Sequence, residues 1–268
     1  MFFISWLFWA GIAATFLMAA GDCLRWPRQM NAAWRRFQPV AGAVTLIAAG
    51  FFFINLARLG ESATGGLGKR AFHLLALAAG SSIFYCGGWH WVASAGHVGL
   101  FERIRRRMAG LPTPSAIWSL VETIAIVVGV VLFSWYLFRE TQAAPSATFR
   151  KWMESRQSLD IRSGYLGVLV LVAPLWEETA FRWYLLNRLE EALARRSWGR
   201  WVAIVGTSAL WASGHVGMTD PGWVKLAQIF TVGCVLSWRF RHIGLPGCVL
   251  AHLAMNSMAV FSLPTAFR

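Results

Sequence analysis

Two glutamates, an arginine, two histidines and an asparagine stand inside otherwise apolar runs. Glu177, Glu178 and Arg182 lie in "LVAPLWEETAFRWYLL" (171–186), His215 in "LWASGHVG" (210–217), and His252 with Asn256 in "LAHLAMNSM" (250–258). Glu178 and Arg182 are four apart, in the acid-before-base order that pairs best on one helix face. Glu177 is turned about 100° from Glu178 around the same helix, toward Phe181 and Tyr184, neither of which neutralises it. An unpaired carboxylate in lipid costs roughly 2.5–3.5 kcal/mol, so Glu177 needs partners from other helices or from water. His252 and Asn256 share a helix face, and His215 adds a second imidazole. Singly, each reads equally as a packing residue or as a functional one; together a carboxylate, two imidazoles and a carboxamide can exchange protons and donate hydrogen bonds. The Glu178–Arg182 pair reads as structural support.

The elements that must position these groups are apolar helices. The chain is 57% hydrophobic and 14% charged, with a mean hydropathy of +0.50, too little polar surface to cover a soluble particle of this length. Trp and Phe residues, 16 and 19 of them, suit membrane interfaces and bundle interiors. The net charge of +13 sits in short Lys/Arg clusters between apolar runs, a pattern of membrane topology and anionic lipid rather than of nucleic-acid binding. Cys23, Cys86, Cys234 and Cys248 have no metal-type spacing and read as packing residues. Residues 2–21 read as a retained helix rather than a cleaved signal.

Apolar segments at about 1–21, 39–57, 71–99, 116–138, 164–186, 201–217, 223–238 and 243–263 predict an all-α, polytopic membrane protein with about eight transmembrane helices, because continuous apolar runs without alternation exclude a barrel. The polar stretch 139–162 divides the chain into N-terminal helices (1–160) without a usable motif and a motif-bearing core (161–268). Residues 187–200 read as a solvated helix end and 239–242 as a loop. His73, His90 and His97 read as packing residues, and Glu122 as an interfacial group. At 1.5 Å per residue, Glu177 lies roughly 15 Å from Asn187, His215 roughly 21 Å from Trp201 and His252 roughly 14 Å from Ile243. With alternating crossings those three ends share one membrane face, and all three side chains fall near mid-membrane. The positive-inside bias puts the loops at those ends on the cytoplasmic side.

These residues resemble a known family, the CAAX protease and bacteriocin-processing (CPBP, or ABI) enzymes, which include the type II CAAX prenyl proteases. Its EExxxR motif is matched by Glu177, Glu178 and Arg182. Its FxxxH motif is matched by Trp211 and His215, with Trp for Phe, and its HxxxN motif by His252 and Asn256. The resemblance covers about residues 164–260. It implies an intramembrane endopeptidase acting on a membrane-anchored or lipid-modified protein tail, multi-pass and, in a bacterium, in the plasma (inner) membrane. It also implies Glu177 as general base with His215 sharing the activation of water, His252 and Asn256 as oxyanion donors, and Glu178 with Arg182 as the orienting pair. Trp211 and Phe181 are expected as apolar walls for substrate. No metal is expected, although a His2Glu zinc set of Glu177, His215 and His252 is the alternative. From other classes, a proton relay or transporter, or a non-catalytic membrane partner, would also place Glu, His and Arg inside the bilayer.

Overall fold

The computed structural model describes residues 2–25, 80–86, 88, 116–151 and 173–266, almost all of them helical. Helix α1 is Phe2–Arg25 and α2 is Ala116–Thr141. A two-residue strand β1, Ala144–Pro145, follows. Helix α3 spans 173–192, its middle (Thr179–Leu186) wound as a π-helix and its last stretch, Asn187–Ala192, α-helical. Helix α4 is Gly199–Ser213, strand β2 is Thr219–Asp220, and α5 is Gly222–Ala266.

The expected helices at 39–57 and most of 71–99 lie outside the described residues, as do 164–172; residues 80–86 are helical. Two expectations need correction. The span at 201–217 stops at Ser213, and His215 sits in the turn 214–217 that ends at Gly217 with φ 81°. The 239–242 loop is helical instead, and the break falls at Gly244, where φ 66° and ψ −178° define a conformation open essentially only to glycine. Charged side chains at 239–242 suggested a loop, yet they reach out to partners from a continuous helix. The chain reverses at Gly244. Cys248 Sγ donates to the Leu236 carbonyl at 3.8 Å, whereas twelve residues of straight helix would separate them by about 18 Å. Helix α5 is therefore a hairpin of two arms.

Ion pairs place the helix ends. Arg200 Nε lies 3.6 Å from Glu190 Oε1, and Arg241 Nη2 bonds Glu190 Oε2. The last turn of α3, the start of α4 and the end of the first α5 arm thus meet at one level. Glu122, near the start of α2, pairs with Arg239 at that level, with His242 Nδ1 4.0 Å away. Trp118, Trp198, Trp201 and Trp238 are exposed around it, as an interfacial aromatic belt requires. Among the described residues one helix, Trp118–Thr141, is long and apolar enough to cross a membrane; only 17% of its apolar window is buried, so most of that face is turned outward.

The core that carries the site draws on both ends of the chain. Ile12 and Phe16 of α1, Phe84, and Phe181 and Tyr184 of α3 are buried together. Tyr184 Oη donates to Asp22 Oδ2 at 2.8 Å, and Arg188 Nε lies 3.5 Å from the same oxygen, fastening α1 to α3. The first arm of α5 comes close to α4 at Gly233, where a Cβ would lie 2.9 Å from that of Ser208 and 3.1 Å from the Trp211 ring. Strand β1 pairs antiparallel with β2, and Ser146 Oγ donates to the Gly217 carbonyl at 2.6 Å. The connector after α2 is thereby tied to the turn that carries His215.

Candidate active site

Glu177 and Glu178 stand at the junction where α3 passes from α-helical to π-helical winding. The backbone remains helical across it, with Glu178 at φ −66°, ψ −34° and Asn187 at φ −64°, ψ −37°. Wider winding shifts the backbone hydrogen bonds by one residue, and such segments recur at functional sites. The Asn187 amide Nδ2 donates to the Arg182 and Trp183 carbonyls at 3.0 and 2.8 Å, satisfying acceptors at the end of this segment. No pattern in the apolar sequence announces the π-winding.

The inner half of the site is Glu178, Arg182 and His252, each at most 1% exposed. Arg182 Nη1 donates to Glu178 Oε1 at 3.1 Å, and the guanidinium lies 3.9 Å from the Trp211 ring centroid, a cation–π contact inside the core. His252 Nδ1 stands 2.9 Å from the same Glu178 oxygen. A carboxylate only accepts, so this nitrogen carries the proton and donates. In the neutral ring Nε2 is then a lone pair, facing Glu177 Oε2 at 3.9 Å. Thus Arg182 holds Glu178, Glu178 orients His252, and His252 turns its free nitrogen to Glu177.

Glu177 is the part-open member, 18% exposed at its side chain. Its Oε2 accepts the Trp211 indole N–H. Trp211 itself is fully buried, its ring 5.0 Å from that of His252 and 5.7 Å from that of His215, edge-on to both. His215 Nδ1 donates to the Trp211 carbonyl at 3.0 Å, leaving Nε2 free, and Glu177, Lys225 and His252 all lie within electrostatic reach of it.

The structure therefore joins Glu177, Glu178, Arg182, Trp211 and His252 by direct contacts, with His215 attached through Trp211. Asn256 lies one helical turn beyond His252, half-buried, and makes no side-chain hydrogen bond among the described residues. Phe181 and Trp211 are 1% and 0% exposed, so neither presents an open wall here; Phe181 packs in the core, and Trp211 touches four members of the polar cluster. The sequence reading missed the donor role of Trp211, for which the indole in place of the family's usual Phe was the available signal. It also missed Lys225 and Gln228, near the start of α5 and just after the turn that carries His215; the charge of Lys225 acts on His215. Among the described residues no three His, Cys, Asp or Glu side chains are grouped at metal-ligand spacing.

Residues 163–258 match the family model described as type II CAAX prenyl endopeptidase Rce1-like. This segment is Rce1-like. The resemblance drawn from the three motifs is thereby borne out, since all of them, from Glu177 to Asn256, fall inside the matched range. The family is one of membrane-embedded proteases. The chain is also similar to an uncharacterized 24.3 kDa protein of Escherichia coli, 29% identical over 164 residues, which cover 60% of this chain and 73% of the relative. No solved structure matches it.

Proposed function

We propose that this chain is a multi-pass intramembrane endopeptidase, with about eight crossings, that hydrolyses a peptide bond in a membrane-anchored or lipid-modified protein tail. Peptide hydrolysis needs an activated water, a donor for the oxyanion and a proton for the leaving amine. The observation that carries the proposal is the gap of 3.9 Å between His252 Nε2 and Glu177 Oε2. It is too wide for a direct hydrogen bond. An oxygen about 2.8 Å from each atom would subtend an angle of about 90°, which one water can span.

In this mechanism Glu177, held by the Trp211 N–H, takes the water's proton as the hydroxide adds to the scissile carbonyl. His215, anchored at Nδ1, shares the activation by accepting the water's second O–H at Nε2 as the oxygen swings from His252 toward the carbonyl. The proton on Glu177 is relayed to the vacated His252 Nε2, whose N–H then meets the oxyanion together with Asn256. The same proton passes to the leaving amine as the carbon–nitrogen bond breaks. Glu178 and Arg182 react with nothing; they fix the His252 ring and its protonated nitrogen, the arrangement by which an orienting carboxylate serves a catalytic imidazole. Water is activated here without a metal.

The proposal is tested by comparing the termini of membrane proteins between cells carrying the normal chain and cells carrying Glu177→Ala. One or more proteins should keep a longer tail only in the variant. Identical termini in both cell types, with ion flux altered instead, would replace hydrolysis by a proton relay.

A further inference from the structure

Lys225 is a charged neighbour of the site that the hydrolytic steps leave unused. It stands near the start of the first α5 arm, with its Nζ donating to Gln228 Oε1 at 2.8 Å and lying 5.8 Å from the Phe138 ring centroid. Glu177 is within electrostatic reach of it, and so is His215. Among the described residues no carboxylate pairs with Lys225 within 4 Å. Gln228 is fully buried; its oxygen is taken by Lys225, and among the described residues its Nε2 has no hydrogen-bond partner.

A buried amide that accepts from an ammonium yet leaves its own donors unused is costly unless something else arrives to accept. The two side chains come from the first turns of a helix, whose free backbone N–H groups add partial positive charge. One charged and one neutral donor suit a group that has two oxygens, accepts only and is negative. That group is a carboxylate. Glu177 does not fill the role: it makes no ion pair with Lys225 within 4 Å and no hydrogen bond to Gln228 Nε2, and its Oε2 is turned to Trp211 and His252.

We infer that Lys225 and Gln228 bind a carboxylate of the substrate next to the scissile bond, so that the site favours segments bearing negative charge close to the point of cleavage. The inference rests on the endopeptidase proposal and adds a substrate class to it. Lys225 then acts on specificity, positioning the chain against Glu177 without taking part in the transfer of protons. The carboxylate can be the free C-terminus of a tail or an acidic side chain within it.

The test uses the full-length protein in lipid nanodiscs and three palmitoylated, dye-labelled hexapeptides of otherwise identical sequence. One ends in a free carboxylate, one in an amide, and one in an amide with Glu replacing an internal Gln. Fluorescence anisotropy reads binding, and product release from the same samples reads hydrolysis separately. One carboxylate-bearing peptide should bind about tenfold more tightly than the neutral amide, and which one does so identifies the source. Lys225→Met should abolish the preference and Lys225→Arg should retain it, each with a thermal unfolding midpoint close to the normal protein. Equal affinity for all three peptides in the normal protein would overturn the inference, as would a preference that survives Lys225→Met. Selective binding without hydrolysis would sustain it and sink the endopeptidase proposal; hydrolysis without selectivity would do the reverse.

Discussion

Glu177 and Glu178 are neighbours in sequence with different surroundings, and that difference divides their roles. Glu178 is enclosed by Arg182 and His252, whereas Glu177 keeps some exposure and meets an indole N–H. Glu177→Gln keeps size and hydrogen-bonding capacity but removes the base, so cleavage should vanish while thermal stability stays near normal. Arg182→Ala strands a buried carboxylate and should lower stability by about 3–5 kcal/mol as well as activity; equal unfolding midpoints for the two variants would refute this division. Trp211→Phe keeps an aromatic ring but deletes the donor to Glu177. A hydrogen bond to a charged group contributes about 1.5–3 kcal/mol, so kcat should fall roughly ten- to a hundredfold, measured against an unchanged fold by circular dichroism. The Glu178–Arg182 pair was legible because a helix brings residues four apart together. The indole contact was not, since spacing along one helix says nothing of where a ring edge points across to another.

Helix α5 illustrates both the reach and the limit of the sequence at the scale of elements. Two apolar runs predicted two antiparallel helices, and the contact between Cys248 and Leu236 shows the reversal. The expected four-residue loop at 239–242 was mistaken because Arg239 and Arg241 project from a helix to Glu122 and Glu190, and Gly244 makes the turn. Gly244→Ala should cost about 1–3 kcal/mol, the penalty for a side chain in so restricted a conformation. Because the second arm carries His252, the same change should lower cleavage by moving that ring off the glutamates. Normal unfolding temperature and normal activity together would contradict the hinge. The π-winding of α3 and the β1–β2 pair were illegible for a related reason. The β1–β2 pair goes with a tertiary hydrogen bond from Ser146, and the π-winding ends at a side-chain bond from Asn187 to the Arg182 carbonyl; apolar periodicity registers neither.

For the whole molecule, hydropathy made the class legible, as a helical membrane protein, and depth arithmetic brought Glu177, His215 and His252 to one level before any contact was known. Shared ion pairs at Glu190 give that arithmetic its common reference face. The fastening of α1 through Asp22 to Tyr184 was invisible, because an acid at the end of an apolar run has many equivalent partners in sequence. The proposed activation of water by Glu177 without metal also has a consequence for the whole protein. Exhaustive chelation should leave cleavage unchanged, and elemental analysis should find well under one zinc per chain; stoichiometric zinc whose removal stops cleavage would reverse the mechanism. The central claim is that Glu177 delivers water to a peptide bond of a membrane-anchored chain. Its most direct test is incubation of membranes from cells carrying Glu177→Ala with purified normal or Glu177→Gln protein in 18O-labelled water, followed by mass spectrometry of new C-termini. Newly formed carboxylates carrying 18O should arise with the normal protein and be absent with Glu177→Gln. The same labelled termini at the same rate with Glu177→Gln would contradict the account.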